Sequence, residues 1–262
     1  MTSVAAAIAG VLATGDPRAK IAAARKVARD WRLGRLDWRF DTPMPDRPAR
    51  PAEPELLPPS AMPRRGKGSQ HGRIALVHAI AHIEFAAIDL AFDIAGRFGG
   101  TFPRAFTDDW LAVGADEAMH FALLDRRLHA LGSRYGALPA HDGLWEAAGD
   151  TAHDPLARLA VVPMVLEARG LDVTPATLAR VEAAGDAPTA RILRRILSDE
   201  VRHVAAGTRW FEFGCAERGF DPQATWQKLV TQHFRGTIKG PFNDSARDSA
   251  GLTREYYAAI AR

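Results

Sequence analysis

From Ser69 onward apolar residues recur at spacings of three and four, and the alternating β-branched runs that mark strands are nearly absent. The pattern predicts an all-α protein with helices over about 69–98, 104–132, 154–170, 174–183, 187–218 and 222–235. Gly99-Gly100, Gly132 to Gly143, Gly170 to Thr174 and Gly219 read as breaks, with Thr174 before Pro175 as an N-cap pair. Upstream, residues 1–40 hold two short helical patterns. The second starts at Pro17 behind an Asp16 cap, ends near Trp31 and carries Arg18, Lys20, Arg25, Lys26 and Arg29. Between Thr42 and Gly68 prolines stand at 43, 45, 48, 51, 54, 58, 59 and 63, so that stretch reads as an extended arm or linker. The tail from Gly236 ends in a short helix around Thr253–Ala259. The expected organisation is an N-terminal helical segment and proline-rich arm over 1–68, a helical core over 69–218, and a C-terminal helical extension over 219–262.

Composition narrows the class. Of 262 residues, 47% are hydrophobic and 25% charged, which fits a folded globular chain and argues against disorder as its main theme. Lys and Arg number 34 against 31 Asp and Glu, a surplus of three spread along the chain, so a nucleic-acid partner is a secondary alternative. It would act through the basic N-terminal helix or the Arg64-Arg65-Gly-Lys67 cluster. One cysteine, Cys215, excludes an intramolecular disulfide and a cysteine-ligated cluster and reads as a small apolar filler. The N-terminus lacks the positive region of a signal peptide, and no run approaches the roughly 18 uninterrupted apolar residues of a membrane span. A cytoplasmic protein with no membrane partner is expected.

The chemistry is concentrated in two Glu-x-x-His pairs, Glu117/His120 and Glu200/His203. Residues three apart share one helical face, so both side chains of a pair can reach one metal. With 11 Glu and 9 His, chance alone supplies roughly 0.4 such pairs, so one would be weak. Symmetry strengthens the signal. Glu84 and Glu167, each in an apolar helical context, precede the pairs by 33 residues, and Glu84, Glu117 and His120 recur 83 residues later as Glu167, Glu200 and His203. Asp116 and Asp199 share that interval and stand as candidates to orient the ligand histidines. Four carboxylates neutralise two divalent ions and bridge them, while imidazoles cap.

With these residues in view, the chain resembles the ferritin-like carboxylate proteins, in which two helices give one Glu each and two give Glu-x-x-His. It resembles more closely the bacterial family called domain of unknown function 455. The likeness runs from about Pro59 to Phe242 through His78-Ala-Ile-Ala-His-Ile-Glu84, Asp116-Glu-Ala-Met-His120, Leu166-Glu-Ala-Arg-Gly-Leu-Asp-Val-Thr-Pro175, Asp199-Glu-Val-Arg-His203 and Lys239-Gly-Pro-Phe-Asn243. The resemblance implies a ferritin-like four-helix bundle with a dinuclear iron or manganese site at Glu84, Glu117, His120, Glu167, Glu200 and His203. Radical-storing relatives keep a tyrosine four residues after the first histidine. Leu124 and Gly207 stand at the two equivalent places here, which disfavours radical storage.

The functional expectation is a di-iron, di-manganese or mixed manganese-iron oxidoreductase. It would use two metal ions, iron before manganese, with O2 or peroxide as co-substrate, an organic small molecule as substrate and an unidentified electron donor. A homodimer is an open alternative for its assembly. The rival functions are iron oxidation or metal handling without an organic substrate, and a non-catalytic binding module that retains the bundle, with RNA as its ligand. Among other residues, His78 and His82 are four apart but lie across the helix from Glu84, and Trp110 and Trp210 read as core. Pro163 should free a carbonyl and kink its helix near Glu167.

Overall fold

The computed structural model describes residues 1–63 and 69–262 and is mostly helical. The basic cluster Arg64, Arg65 and Lys67 lies outside the described residues. Two compact units divide the chain, Met1–Trp145 and Glu146–Arg262.

In the first unit β1 (Thr2–Ser3) leads into α1 (Val4–Leu12), then α2 (Pro17–Arg32), which Asp16 caps by accepting from Ala19 N at 2.8 Å. The chain returns as β2 (Leu36–Asp37), parallel to β1 with Thr2 opposite Leu36. This two-residue ladder is too short to leave a pattern in the sequence. The long helices follow, α3 (Gln70–Phe98) and α4 (Arg104–Ala130), joined by a 3-10 turn at Gly99–Thr101. A linker that short folds α4 back along α3, and α1 and α2 pack on the pair. Ile8, Trp31, Phe85, Phe92, Trp110 and Phe121 fill the core, each contributing about 1.5–3 kcal/mol on burial. The stretch Gln70–Thr101 is long and apolar enough by length and composition to cross a membrane, yet 67% of its most apolar window is buried in the fold.

The proline-rich arm, which cannot build its own ladder, is held by hydrogen bonds to the helices. Arg97 donates to Pro45 O at 2.9 Å, Trp145 Nε1 to Asp46 O at 3.1 Å, and Ala49 N to Leu12 O at 2.7 Å. Met44 sits against Gly96, where a Cβ would also meet Ile8 Cγ2 at 2.8 Å. Beneath the arm, Asp89 of α3 binds both Lys20 of α2 and Arg50 of the arm, with Lys20 and Asp89 fully buried. Burial pushes the Lys20 ammonium down and the Asp89 carboxyl up, while each opposite charge works against that.

The second unit begins within α5 (Gly143–Asp150), a helix that follows the expected break from Gly132 to Gly143 and that the sequence pattern, with no helix predicted before about 154, did not include. Eight residues carry too little periodicity to stand out beside glycines. Beyond it α6 (Pro155–Val161) passes through a π-helical segment, Val162–Glu167, into α7 (Ala168–Ala183). The expected break at Gly170 to Thr174 does not occur, and Thr174 caps nothing, because α7 runs through Pro175. Proline at 175 deprives Leu171 O of its helical donor, and Asn243 Nδ2 supplies a replacement at 3.1 Å. α8 (Ala187–Ala216) packs on α6 and α7, followed by α9 (Pro222–His233), α10 (Asp244–Ser249) and α11 (Arg254–Tyr257). Asp154 and Asp221 each precede a proline and cap α6 and α9.

The Leu166–Pro175 and Lys239–Asn243 motifs meet in this unit. Asp172 receives Arg247 Nε at 2.9 Å, Arg247 Nη2 at 2.7 Å and Asn243 N at 3.0 Å, and Arg169 donates to Lys239 O at 3.0 Å. The two motifs therefore clamp the C-terminal segment onto α7.

Candidate metal centre

Glu84, Glu117 and His120 come together in the first unit, each buried, each offering a ligand atom within 4.8 Å of the others. α4 sets Glu117 and His120 one turn apart on one face, and the α3/α4 pairing brings Glu84 to the same level. His120 Nδ1 lies 3.1 Å from Glu84 Oε2 and 3.3 Å from Glu117 Oε2. Phe85, Ala118, Phe121 and Leu124 border the three residues in sequence and are themselves buried. That burial, with the Glu117 charge adding to it, holds the Glu84 carboxyl well above its usual range. For His120, burial opposes the charged ring, but its hydrogen bonds to Glu117 and Glu84 prevail and raise the imidazolium to about 11. Nitrogen and oxygen donors must shed their protons to bind a metal, so a cation held here would have to displace that proton.

In the second unit Glu200 and His203 lie buried on α8, with Glu200 Oε1 3.7 Å from His203 Nδ1. Glu167 closes the π-helical segment and is half-buried. Asp199 is buried and accepts from Arg195 at 2.5 Å and Arg202 at 2.6 Å, both on its own helix. Asp116 is half-buried beside Glu117 on α4.

Pro163 is the second residue of the π-helical segment, where an added residue per turn absorbs its missing N–H and turns the following side chains. Its ring lies on α8 at Gly207, where a Cβ would meet Pro163 Cβ at 2.5 Å and Cγ at 2.6 Å. The absence of a tyrosine at 207 thus has a steric cause. Gly207→Ala, which in an open helix gains about 1 kcal/mol from propensity, is expected instead to lose about 1–3 kcal/mol by overpacking. Urea unfolding of the metal-free variant reads the sign directly.

His78 and His82 are engaged with the chain segment after α4 and take no part in the cluster. His82 Nδ1 contacts Tyr135 Oη at 2.9 Å and its Nε2 contacts His141 O at 3.1 Å, while His78 Nε2 accepts from Gly136 N at 3.0 Å. Tyr135 stacks on both rings, a role that no sequence spacing announced. Burial lowers each histidine to about 4. From about 6.5 down to about 4 the unfolded chain binds protons that these native rings refuse, so stability present above 6.5 is lost as the pH falls. The loss is on the order of 3 kcal/mol per ring. Thermal melts from pH 7 to 4 should show it, with a shallower slope in His78→Gln.

Trp110 and Trp210 are buried and pack edge-on against Phe106 and Phe213. Cys215 is buried, and burial pushes its thiol up to about 11. The Lys20, Asp89 and Arg50 network escaped sequence reasoning. Its one signal was Asp89 and Asp93 inside the apolar run of α3, since a carboxylate there requires a partner.

The comparisons with known proteins bear on family and leave activity open. No solved structure matches the chain. An uncharacterised protein of Haemophilus influenzae is 41% identical over 210 residues, covering 78% of this chain and 73% of that protein. The family model described as "Protein of unknown function (DUF455)" matches residues 13–258, so the chain belongs to the DUF455 family.

Proposed function

We propose that this protein is a ferritin-like dinuclear metal protein, with Glu84, Glu117, His120, Glu167, Glu200 and His203 as ligands, that oxidises an organic small molecule. The observation that carries the reading is the buried Glu84, Glu117 and His120 group, whose three ligand atoms lie within 4.8 Å of one another. The 83-residue recurrence of the same residue types at Glu167, Glu200 and His203 supports a second, equivalent half. Carboxylate oxygens and imidazole nitrogens suit iron or manganese, so the donor set fits the metals that the resemblance implies. When bound and reduced, such a pair supplies electrons to O2 or peroxide and oxidising power to a substrate beside it.

The chain's own residues do the preparatory work. Glu84 and Glu117 hold the His120 ring by Nδ1, which fixes its orientation before any cation arrives. In the metal-free protein a proton on this group offsets the mutual repulsion of the carboxylates. All three side chains are buried, which keeps bulk water from them.

The test is elemental analysis of protein purified without added metal or chelator, followed by anaerobic Fe(II) titration and oxygen-uptake measurements. Saturation near two metal ions per chain, with O2 uptake that an organic co-substrate accelerates, is expected. Saturable Fe(II) oxidation that no organic compound alters would leave metal handling as the function. No bound metal and no titratable site would end the metalloprotein reading.

A further inference from the structure

On α2, Arg18, Arg25, Arg29 and Arg32 follow at intervals of seven, four and three, which places all four on one helical face along about 21 Å. All four are exposed. Among the described residues, Arg18, Arg25 and Arg32 have no carboxylate partner, and Arg29 shares Asp30 with Lys26 and Arg35. Three cations on one carboxylate leave that point positive. The other acids nearby are already engaged. Asp16 caps α2, Asp41 takes Ser3 and Arg39, Asp37 lies near Arg39, and Asp108 accepts from Trp31 Nε1. Arg104 adds a further guanidinium 4.0 Å over the Trp31 ring. Along the chain just after the stripe, Leu33 and Trp38 are 54% and 46% exposed, and the exposed Arg35 and Arg39 stand on either side of Trp38 in the sequence.

We propose that this face is a docking surface for single-stranded nucleic acid, with the arginine stripe tracking phosphates and Trp38 stacking on a base. Charge complementarity selects a polyanion. The exposed Trp38 indole, close in sequence to Arg35 and Arg39, selects one whose bases are accessible, because stacking needs an unpaired base. A lipid surface fits less well. An interfacial helix inserts its apolar face, and that face of α2, formed by Ala24, Val27 and Trp31, is already buried in the fold.

The experiment measures fluorescence anisotropy of labelled single-stranded RNA and DNA of about 15 nucleotides. A duplex of the same length and phosphatidylserine vesicles serve as the other probes. Single strands should bind in preference to the duplex, with affinity falling steeply with salt. Trp38→Ala should weaken binding about tenfold. Replacing Arg18, Arg25, Arg29 and Arg32 by glutamine should flatten the salt slope by about 0.7 for each phosphate that is no longer neutralised. Tighter binding of RNA than DNA would identify the partner as RNA, and the reverse as DNA. The proposal is overturned if no strand binds at low salt, if the variants bind like the parent protein, or if duplex or vesicles bind more tightly. All five substitutions are at exposed positions, and circular dichroism checks that the variants fold. The result is independent of metal content, so it stands or falls apart from the metal-centre reading.

Discussion

Purified Glu117→Gln protein is expected to take up less than one Fe(II) per chain in anaerobic titration, against about two for the parent protein. Glu117 touches His120 on its own helix and adds its charge to the repulsion on Glu84, so it stands at the centre of the cluster. Gln keeps the shape and removes the anion. Without that charge the carboxylate that a cation needs is gone, while the metal-free fold loses both the repulsion on Glu84 and the attraction that Glu117 exerts on the His120 ring. These two changes oppose each other, so the thermal midpoint of the metal-free variant should stay close to that of the parent while metal uptake collapses. Unchanged stoichiometry in a folded variant would remove Glu117 from the ligand set.

The largest effect on stability is expected at Asp89. Replacing it by alanine strips Lys20, which is fully buried, of its only charged partner in the network and leaves Arg50 facing Asp142 at 3.5 Å. A buried charge left without its partner costs about 3–5 kcal/mol, a large share of the 5–15 kcal/mol that holds a typical domain together. Lys20→Met is expected to cost less, because Asp89 keeps Arg50. Urea denaturation of both variants should give that order. If Asp89→Ala and Lys20→Met lose equal stability, Arg50 contributes nothing to holding Asp89. The arm also depends on this network, so limited proteolysis in the 42–63 region should accelerate in Asp89→Ala more than in the parent.

Helix positions were legible where a long amphipathic pattern met a capping residue. α3, α4, α8 and α9 start within about two residues of their predicted positions, three of them at a serine or aspartate cap. Pairs such as Glu117/His120 could be read directly, since a separation of three is fixed by the helix itself. Other features were illegible for definite reasons. Pro175 reads as a helix break in any local rule, and only Asn243, 68 residues away, meets the carbonyl it exposes. The π-helical segment at Val162–Glu167 depends on Gly207 of another helix leaving room for Pro163.

The sequence by itself determined that the chain is helical, that its family is DUF455, and that two Glu-x-x-His faces exist at an 83-residue interval. These follow from local periodicity and residue chemistry, which do not depend on what packs against what. Tertiary structure decided that Glu84 reaches His120, and that His78 and His82 serve Tyr135 and the chain after α4. It also decided that the proline-rich arm is anchored on Asp89. Each of these joins residues 36 to 59 positions apart, set by which helix faces meet, and the pattern along a single strand of sequence carries no record of that meeting.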